Sequence, residues 1–472
     1  MIEQDIEERN ILAYEPTNKL LKMFAGPAII SMLANSLYNI IDQIFIGQAV
    51  GYLGNAATTI AFPIVTVVLA LGTLFGVGGS AFAAIKLGEG RKDVAEKVLN
   101  TVTAVAFIVG VVLTVGGLLL LEPLLTVFGA TEKTMQYSKE FGGVMIAIIP
   151  MTMLIIGLSN LARADGSPRL AMRGLVSGVL LNVLLAPLFI FQFGWGVLGA
   201  ALATACAQLL SLCTFIWYFL RKSKMRLQLG LLLHPDMNMC RKAMAIGFSS
   251  CILQSGATLL QVCMNNSLLY YGNLSPVGGD MAISAMGIVM KVNMIVISIC
   301  VGIGAGAQPI IGFNRGANEP KRVKETYMLA AKVASAITIF GWLCCQLIPE
   351  EILQIFGSNG EEFMIFAVSC MRLFLGGVFV AGFQIISTSY FQATGQPLKA
   401  SVLSMLRQLI LLLPLIFILP FWFGLDGILY AGTIADLVAA SIVAIFMIKE
   451  MNKLNEEIAK SDRSCQLKGS GV

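Results

Sequence analysis

The sequence predicts an all-α polytopic membrane protein with twelve transmembrane helices in two parallel-repeat six-helix lobes. Three observations carry this. Of 472 residues, 57% are apolar and only 12% charged, with a mean hydropathy of +0.81. An ordinary soluble domain carries about 25% charged residues, so a water-soluble protein of this size would lack the polar surface to cover itself. Second, the apolar residues fall into runs of the length that crosses a bilayer, about 20 residues each. Third, landmarks in the first half recur in the second at a nearly fixed offset.

The runs lie at 20–46, 58–86, 97–121, 138–160, 170–191, 196–220, 243–271, 281–310, 325–347, 363–390, 400–422 and 427–450. Between them stand charged or Gly/Pro-rich breaks such as KLGEGRKD, RADGSPR, NRGANEPKR and QATGQP, where neither helix nor apolar packing is favoured. The halves read as a lobe over 1–220, a linker over 221–242, a second lobe over 243–450 and a tail over 451–472. The repeat supports this division. Gly88 matches Gly316, Phe128-Gly129 matches Phe356-Gly357, and Gly199 matches Gly427, each 228 residues apart; Gly166 and Pro168 match Gly395 and Pro397 at 229. Six spans separate the copies, and six is even, so both halves cross the membrane in the same sense. Repeated halves around a shared axis suggest alternating access, hence a transporter.

Charge orients the spans. Of 32 Lys and Arg, 27 fall in the N-terminus, the tail and regions 86–97, 163–173, 221–242, 315–324 and 399–407, against two, Lys133 and Lys139, on the opposite side. The positive-inside rule then places both termini in the cytoplasm of a multi-pass protein of the cytoplasmic (inner) membrane. The basic total is thus a topology signal, with no nucleic-acid partner implied. The start, MIEQDIEERN, is acidic where a signal peptide is basic, so no cleaved leader is expected. Ten cysteines, mostly within apolar runs, show neither metal spacing nor a disulfide framework. With no P-loop, metal-ligand spacing or nucleophile elbow, the chain is not expected to be an enzyme or to hold a cofactor or metal.

Ionisable groups inside spans are functional candidates because a lone charge there is costly. Ser31, Asn35, Tyr38, Asn39 and Asp42 form one polar stripe at helical spacing in span one. Asp42 reads either as a carboxyl that binds and releases a proton as its hydration changes or as an interfacial residue at a helix end. In span seven, Ser250, Gln254, Thr258, Gln261 and Asn265 form a second stripe, which either lines a cavity or locks helices together. Span eight carries Lys291, span ten Arg372 and span twelve Asp436, all in the second half. A pair between Lys291 and Asp436 is the preferred arrangement, snorkelling of the basic side chains the alternative.

The chain resembles the multidrug and toxic compound extrusion (MATE) transporters of the MOP superfamily, in their prokaryotic MepA/DinF-like branch. The matching segments are GPAIISMLANSLYNIIDQIFIG, LARADGSPRLAMRG, LNVLLAPLFIFQFGWGVLGAALATACAQ, ISAMGIVMKVNMIVISICVGIGAGAQPIIGFNRGA and YFQATGQPLKASVLSMLRQLILLLPLIFILPFWFGLDGILYAG. The resemblance implies two lobes around a V-shaped cavity and export of bulky, often cationic drugs, dyes or toxic metabolites by a monomer. Inward flow of protons or sodium would drive it. Asp42 falls where these transporters place an N-lobe carboxylate, Pro27 where that helix can bend, and Asn182 and Thr204 where polar residues work with the carboxylate. Two departures stand out. Several relatives carry a second aspartate where this chain has Ala186, and span seven lacks the glutamate of the NorM-like branch. One carboxyl can carry one proton, whereas a sodium ion wants several oxygens, so the proton is favoured. A sodium site at Asp42, Asn182 and Thr204 stays open because neutral oxygens can bind it. A lipid-linked precursor flippase of the same superfamily is the alternative reading; it would need a cavity rich in Arg and Lys.

Overall fold

The computed structural model describes residues 11–50, 52–128, 130, 132–354 and 361–469. All regular structure among these residues is helical. We label the twelve long elements α1 (Thr17–Val50), α2 (Tyr52–Gly88), α3 (Lys92–Leu119), α4 (Glu132–Ala147 with Ile149–Ala164), α5 (Pro168–Pro187 with a π turn Leu188–Gln192) and α6 (Gly196–Arg221). The second half continues with α7 (Met237–Asn273), α8 (Gly279–Gly316), α9 (Pro320–Leu347), α10 (Glu361–Phe374 with Ala381–Ala393), α11 (Pro397–Phe423) and α12 (Leu425–Gly469). Nine of these are long and apolar enough to cross a bilayer as single helices, and the bent elements α4 and α10 qualify as pairs. The remaining one, α1, runs 34 residues, about 51 Å at 1.5 Å per residue.

The bends have local causes. In α4 the halves meet at 48° beside Pro150, whose missing N–H leaves the Ile146 carbonyl without its helical donor. Thr114 of α3 supplies the replacement, donating its hydroxyl to that oxygen at 2.8 Å. In α10 the 41° bend falls at Gly376-Gly377 and the turn Val378–Val380. Pro27 sits inside α1 without interrupting it, and Ser31 donates its hydroxyl to the Pro27 carbonyl at 2.9 Å.

Each half packs its own apolar core, one of residues such as Val98, Met153, Leu158 and Phe215, the other of residues such as Met286, Cys370, Phe374 and Ile428. The halves meet on the side of the molecule that carries the basic loops. There α2 and α8 cross backbone to backbone: a Cβ on Gly88 would stand 1.9 Å from the Phe313 carbonyl oxygen, and one on Gly316 2.0 Å from that of Ile85. The contact is reciprocal at an offset of 228, the signature of a pseudo-two-fold axis through it. The flanking contacts obey the same symmetry. Gly78 touches Ala243 and Gly247 touches Leu74, while Gly306 touches Ala25 and Gly302 touches Ile29. These pairs relate α2 to α8 by 228 residues but α1 to α7 by 218. The hairpin α7–α8 is therefore ten residues longer than α1–α2, chiefly in the far half of α7 and the turn 274–278.

Two segments fasten this side further. A short helix Ile11–Tyr14 precedes α1, and its fully buried Leu12 joins a cluster with Ile310 and Phe313 of α8. Arg322 of α9 donates from Nη2 to the carbonyls of Leu12 (3.1 Å) and Glu15 (2.7 Å), and from Nε to Asn314 Oδ1 (2.8 Å). The connection between halves lies along α3: Gln228 N–H donates to Asn100 Oδ1 at 2.8 Å, and Arg226 N–H to Glu96 at 2.9 Å. Asp236 then caps α7, accepting from the backbone of Asn238 and Met239.

Candidate functional site: a carboxyl in one lobe and an open cleft between two

Asp42 lies in the far half of α1, 8% exposed, and its Oδ1 has no hydrogen-bond partner among the described residues. Helix α1 packs against both α5 and α6. Those two helices are tied by Asn182 Nδ2, which donates to Thr204 Oγ1 at 3.0 Å; Thr204 in turn donates to the Ala200 carbonyl at 3.2 Å. Both side chains are buried, as is Ala186 one turn beyond Asn182. Asn35 is exposed. The side chains of Tyr38 and Asn39 lie outside the described residues.

The second stripe faces the other lobe. On α7, residues 250, 254, 258, 261 and 265 share the helix face of Ala243 and Gly247, the positions that meet α2. Gln254 and Asn265 are half-buried and Gln261 is exposed, with Gln261 Nε2 donating to Asn265 Oδ1 at 2.9 Å. Ser250, nearer the basic side, is held by Gln392 Nε2 at 3.0 Å. On α1 and α8 the hydrogen bond farthest from the basic side among the described residues is Ser36 with Ser298, hydroxyl to hydroxyl at 3.2 Å. Beyond it the facing surfaces are accessible: Met294 is 46% exposed, Ile295 44%, and Val67 of α2 54%. The lobes thus close on the basic side and part toward the other, leaving a cleft walled by α1, α2, α7 and α8.

The expected pair between Lys291 and Asp436 is corrected. Asp436 of α12 is 1% exposed and ion-paired to Arg407 of α11, whose Nε meets Asp436 Oδ1. Gln384 of α10 donates to the Asp436 backbone carbonyl at 2.7 Å, and Asp436 Oδ2 has no partner among the described residues. Lys291 cannot reach this site because it lies on the face of α8 turned toward α1, away from the interior of its own lobe. Arg407, counted with the basic loops, sits in the π turn Leu406–Leu412, ten residues into α11. Arg372 is exposed.

A model of the MatE family matches residues 27–188 and again residues 256–418, one match in each half. The chain belongs to the MatE family. It is a membrane transporter of that family, not an enzyme. This MatE chain is 26% identical over 436 residues to the multidrug export protein MepA of Staphylococcus saprophyticus, spanning 90% of the chain and 93% of MepA. To MepA of Staphylococcus aureus it is 25% identical over 437 residues, 92% and 95% of the two chains. Among solved structures, a ligand complex of the MATE multidrug transporter DinF-BH is 32% identical with a TM-score of 0.86, over 94% of this chain and 98% of that one. An outward-facing MATE family transporter of the MOP superfamily, at 21% identity, shares the fold with a TM-score of 0.87 over 95% and 99%.

Two clusters of the MatE chain were not singled out from sequence. One is Arg407 with Asp436, whose signal was an arginine inside an apolar run. The other is Asp165, in the break between α4 and α5. It accepts from Tyr218 Oη (2.5 Å), Ser223 Oγ (2.7 Å) and the Lys224 N–H (3.2 Å). Burial pushes its carboxyl above the usual range, against the pull of those donors. The acceptor and its donors are more than 50 residues apart, so spacing could not reveal them.

Proposed function

We propose that this chain is a secondary active multidrug antiporter of the cytoplasmic membrane, with both termini inside, that acts as a monomer. It exports cationic or amphipathic compounds in exchange for an inward cation, the proton rather than sodium. The observation that carries the reading is Asp42: a buried carboxyl with an oxygen that has no partner among the described residues, on a helix that touches the partner lobe at Ser36 and packs against its own lobe's α5 and α6. A change in how α1 seats against α8 alters the hydration of that carboxyl and so its hold on a proton. A ligand that favours one seating shifts the equilibrium by its differential affinity for the two, which links drug to proton.

Three features support the proton. Ala186 removes a second acid from the face of Asn182, α7 carries no acid in its stripe, and the Thr204 hydroxyl already donates to Ala200 and accepts from Asn182. The names of the curated relatives, multidrug export proteins, support small amphipathic compounds as substrates. The cleft wall presents amides, apolar side chains and Lys291, not the rows of Arg and Lys that a flippase for lipid-linked phosphates would use. The test is dye transport in proteoliposomes under separately imposed gradients, with Asp42→Asn beside the wild type. Wild-type transport should follow the pH gradient and ignore sodium, and the variant should insert normally yet lose coupled transport. Transport driven by sodium alone at symmetric pH, or wild-type coupling in the variant, refutes the assignment.

A further inference from the structure

Lys291 is a charge on the cleft-facing side of α8. On α8 it lies on one stripe with Ser298 and Gly302, at i, i+7 and i+11. Those two residues are where α8 meets α1: Ser298 through the Ser36 hydroxyl, Gly302 against the Ile29 backbone. Lys291 therefore points across at the opposite lobe, neither into its own core nor out to lipid. It stands two turns beyond Ser298, exposed, one turn from the exposed Met294 and Ile295. No ion pair among the described residues includes it. Asp436 is taken by Arg407, and Asp42 is turned about a third of a helix circumference away from the α8-facing stripe of α1 and is buried. Twelve residues separate Lys291 from the start of α8, about 18 Å of helix, and a side chain that snorkels toward that end still lies on the face turned to the opposite lobe.

An ammonium held among apolar side chains in a narrow cleft focuses its field into that cleft and is costly to leave without a counter-charge. In the same lobe α7 carries the amides of Gln261 and Asn265 on its face toward α2, and Val67 of α2 adds exposed apolar surface from the opposite lobe. This wall is complementary to an amphiphile with an apolar body and one anionic group. We infer that Lys291 is the specificity-determining residue of the transport cleft, an anchor for a carboxylate on amphipathic or zwitterionic substrates. A compound whose only charge is positive gains nothing from Lys291 and is repelled by it. The inference rests on the transporter reading above and names the substrate class of that same cleft.

The test is a matched pair of probes: a xanthene dye with a free carboxylate and its methyl ester, identical except for the negative charge. Both are offered to wild type, Lys291→Gln, Lys291→Arg and Lys291→Glu in proteoliposomes under the gradient that drives wild-type transport. Because Lys291 is exposed, these substitutions leave the packed core intact. The KM of the acid relative to that of the ester should rise about tenfold in the Gln variant, return toward wild type in the Arg variant, and rise further in the Glu variant. If wild type exports both dyes and the ratio is the same in Lys291→Gln, the anchor is wrong while the transporter reading stands. If wild type exports neither, both fall.

Discussion

Removing Arg407 should destabilise the protein more than removing Arg407 and Asp436 together. Asp436 is 1% exposed; Oδ1 has Arg407 as its partner and Oδ2 has none among the described residues. The neighbouring Gln384 bonds the backbone carbonyl of Asp436 and leaves the carboxylate unsupported. In Arg407→Met the carboxyl thus loses its one counter-charge inside the bilayer. Breaking a buried pair costs about 3–5 kcal/mol, and insertion of a lone Asp near a helix centre about 2.5–3.5 kcal/mol. We take about 3 kcal/mol for either single variant, Arg407→Met or Asp436→Leu. The double variant exchanges the pair for apolar side chains of similar volume, which is neutral to favourable. The double-variant cycle should therefore return a coupling of at least about 2 kcal/mol, with the double closer to wild type than either single. Urea unfolding in detergent micelles, followed by tryptophan fluorescence, measures all four proteins. Losses that simply add would show that the two charges do not stabilise one another in the folded lobe.

Two further outcomes follow from the basic side of the molecule. Gly88→Ala and Gly316→Ala each push a methyl into a carbonyl at 1.9–2.0 Å, where ordinary contact begins at 3.4 Å, so the helices must separate. Each should cost about 1–3 kcal/mol, by the symmetry of the contact in equal measure, and raise hydrogen exchange across residues 78–92; undiminished protection would contradict the crossing. The hydrogen bond from Arg315 to Glu457 (2.5 Å) holds the Glu457 carboxyl below the usual range. Its stabilisation is complete above the unfolded value of about 4.3 and is lost as pH falls through the depressed folded value. Glu457→Gln should therefore flatten the fall of Tm on acidification below about pH 5; an acid limb as steep as wild type would refute the linkage.

The spans were legible because each is a long apolar run, and the repeat because four landmarks keep nearly one offset. What one dimension could not show is where those runs bend and what they touch. The run 138–160 conceals a 48° bend, since a proline one turn from a threonine on the neighbouring helix looks no different from a tolerated one. Asp436 was assigned the wrong partner for a related reason. Arg407 lies seven residues inside the run 400–422, yet counting charges by region grouped it with the basic loop before that run, whereas the π turn carries it inward to α12. Asn182 and Thr204 were selected by resemblance; that they bond each other across 22 residues is a fact of packing. The uniform offset of 228 also misses the ten extra residues of the α7–α8 hairpin, because glycine landmarks sample α2 and α8 but not α1 and α7.

The clasp of Arg322 on the N-terminal segment sets an order for biosynthesis. The carbonyl of Glu15 leaves the ribosome 307 residues ahead of the guanidinium that binds it. At about 5–20 residues per second, that is a wait of about 15 to 60 s. Throughout that interval Leu12 has no burial site, since Ile310 and Phe313 are also still to be made. The first helix must therefore be inserted and held by other means while its own anchor is synthesised. The basic side can be sealed only after the ninth helix arrives, so a chain stalled at the eighth would keep its beginning loose.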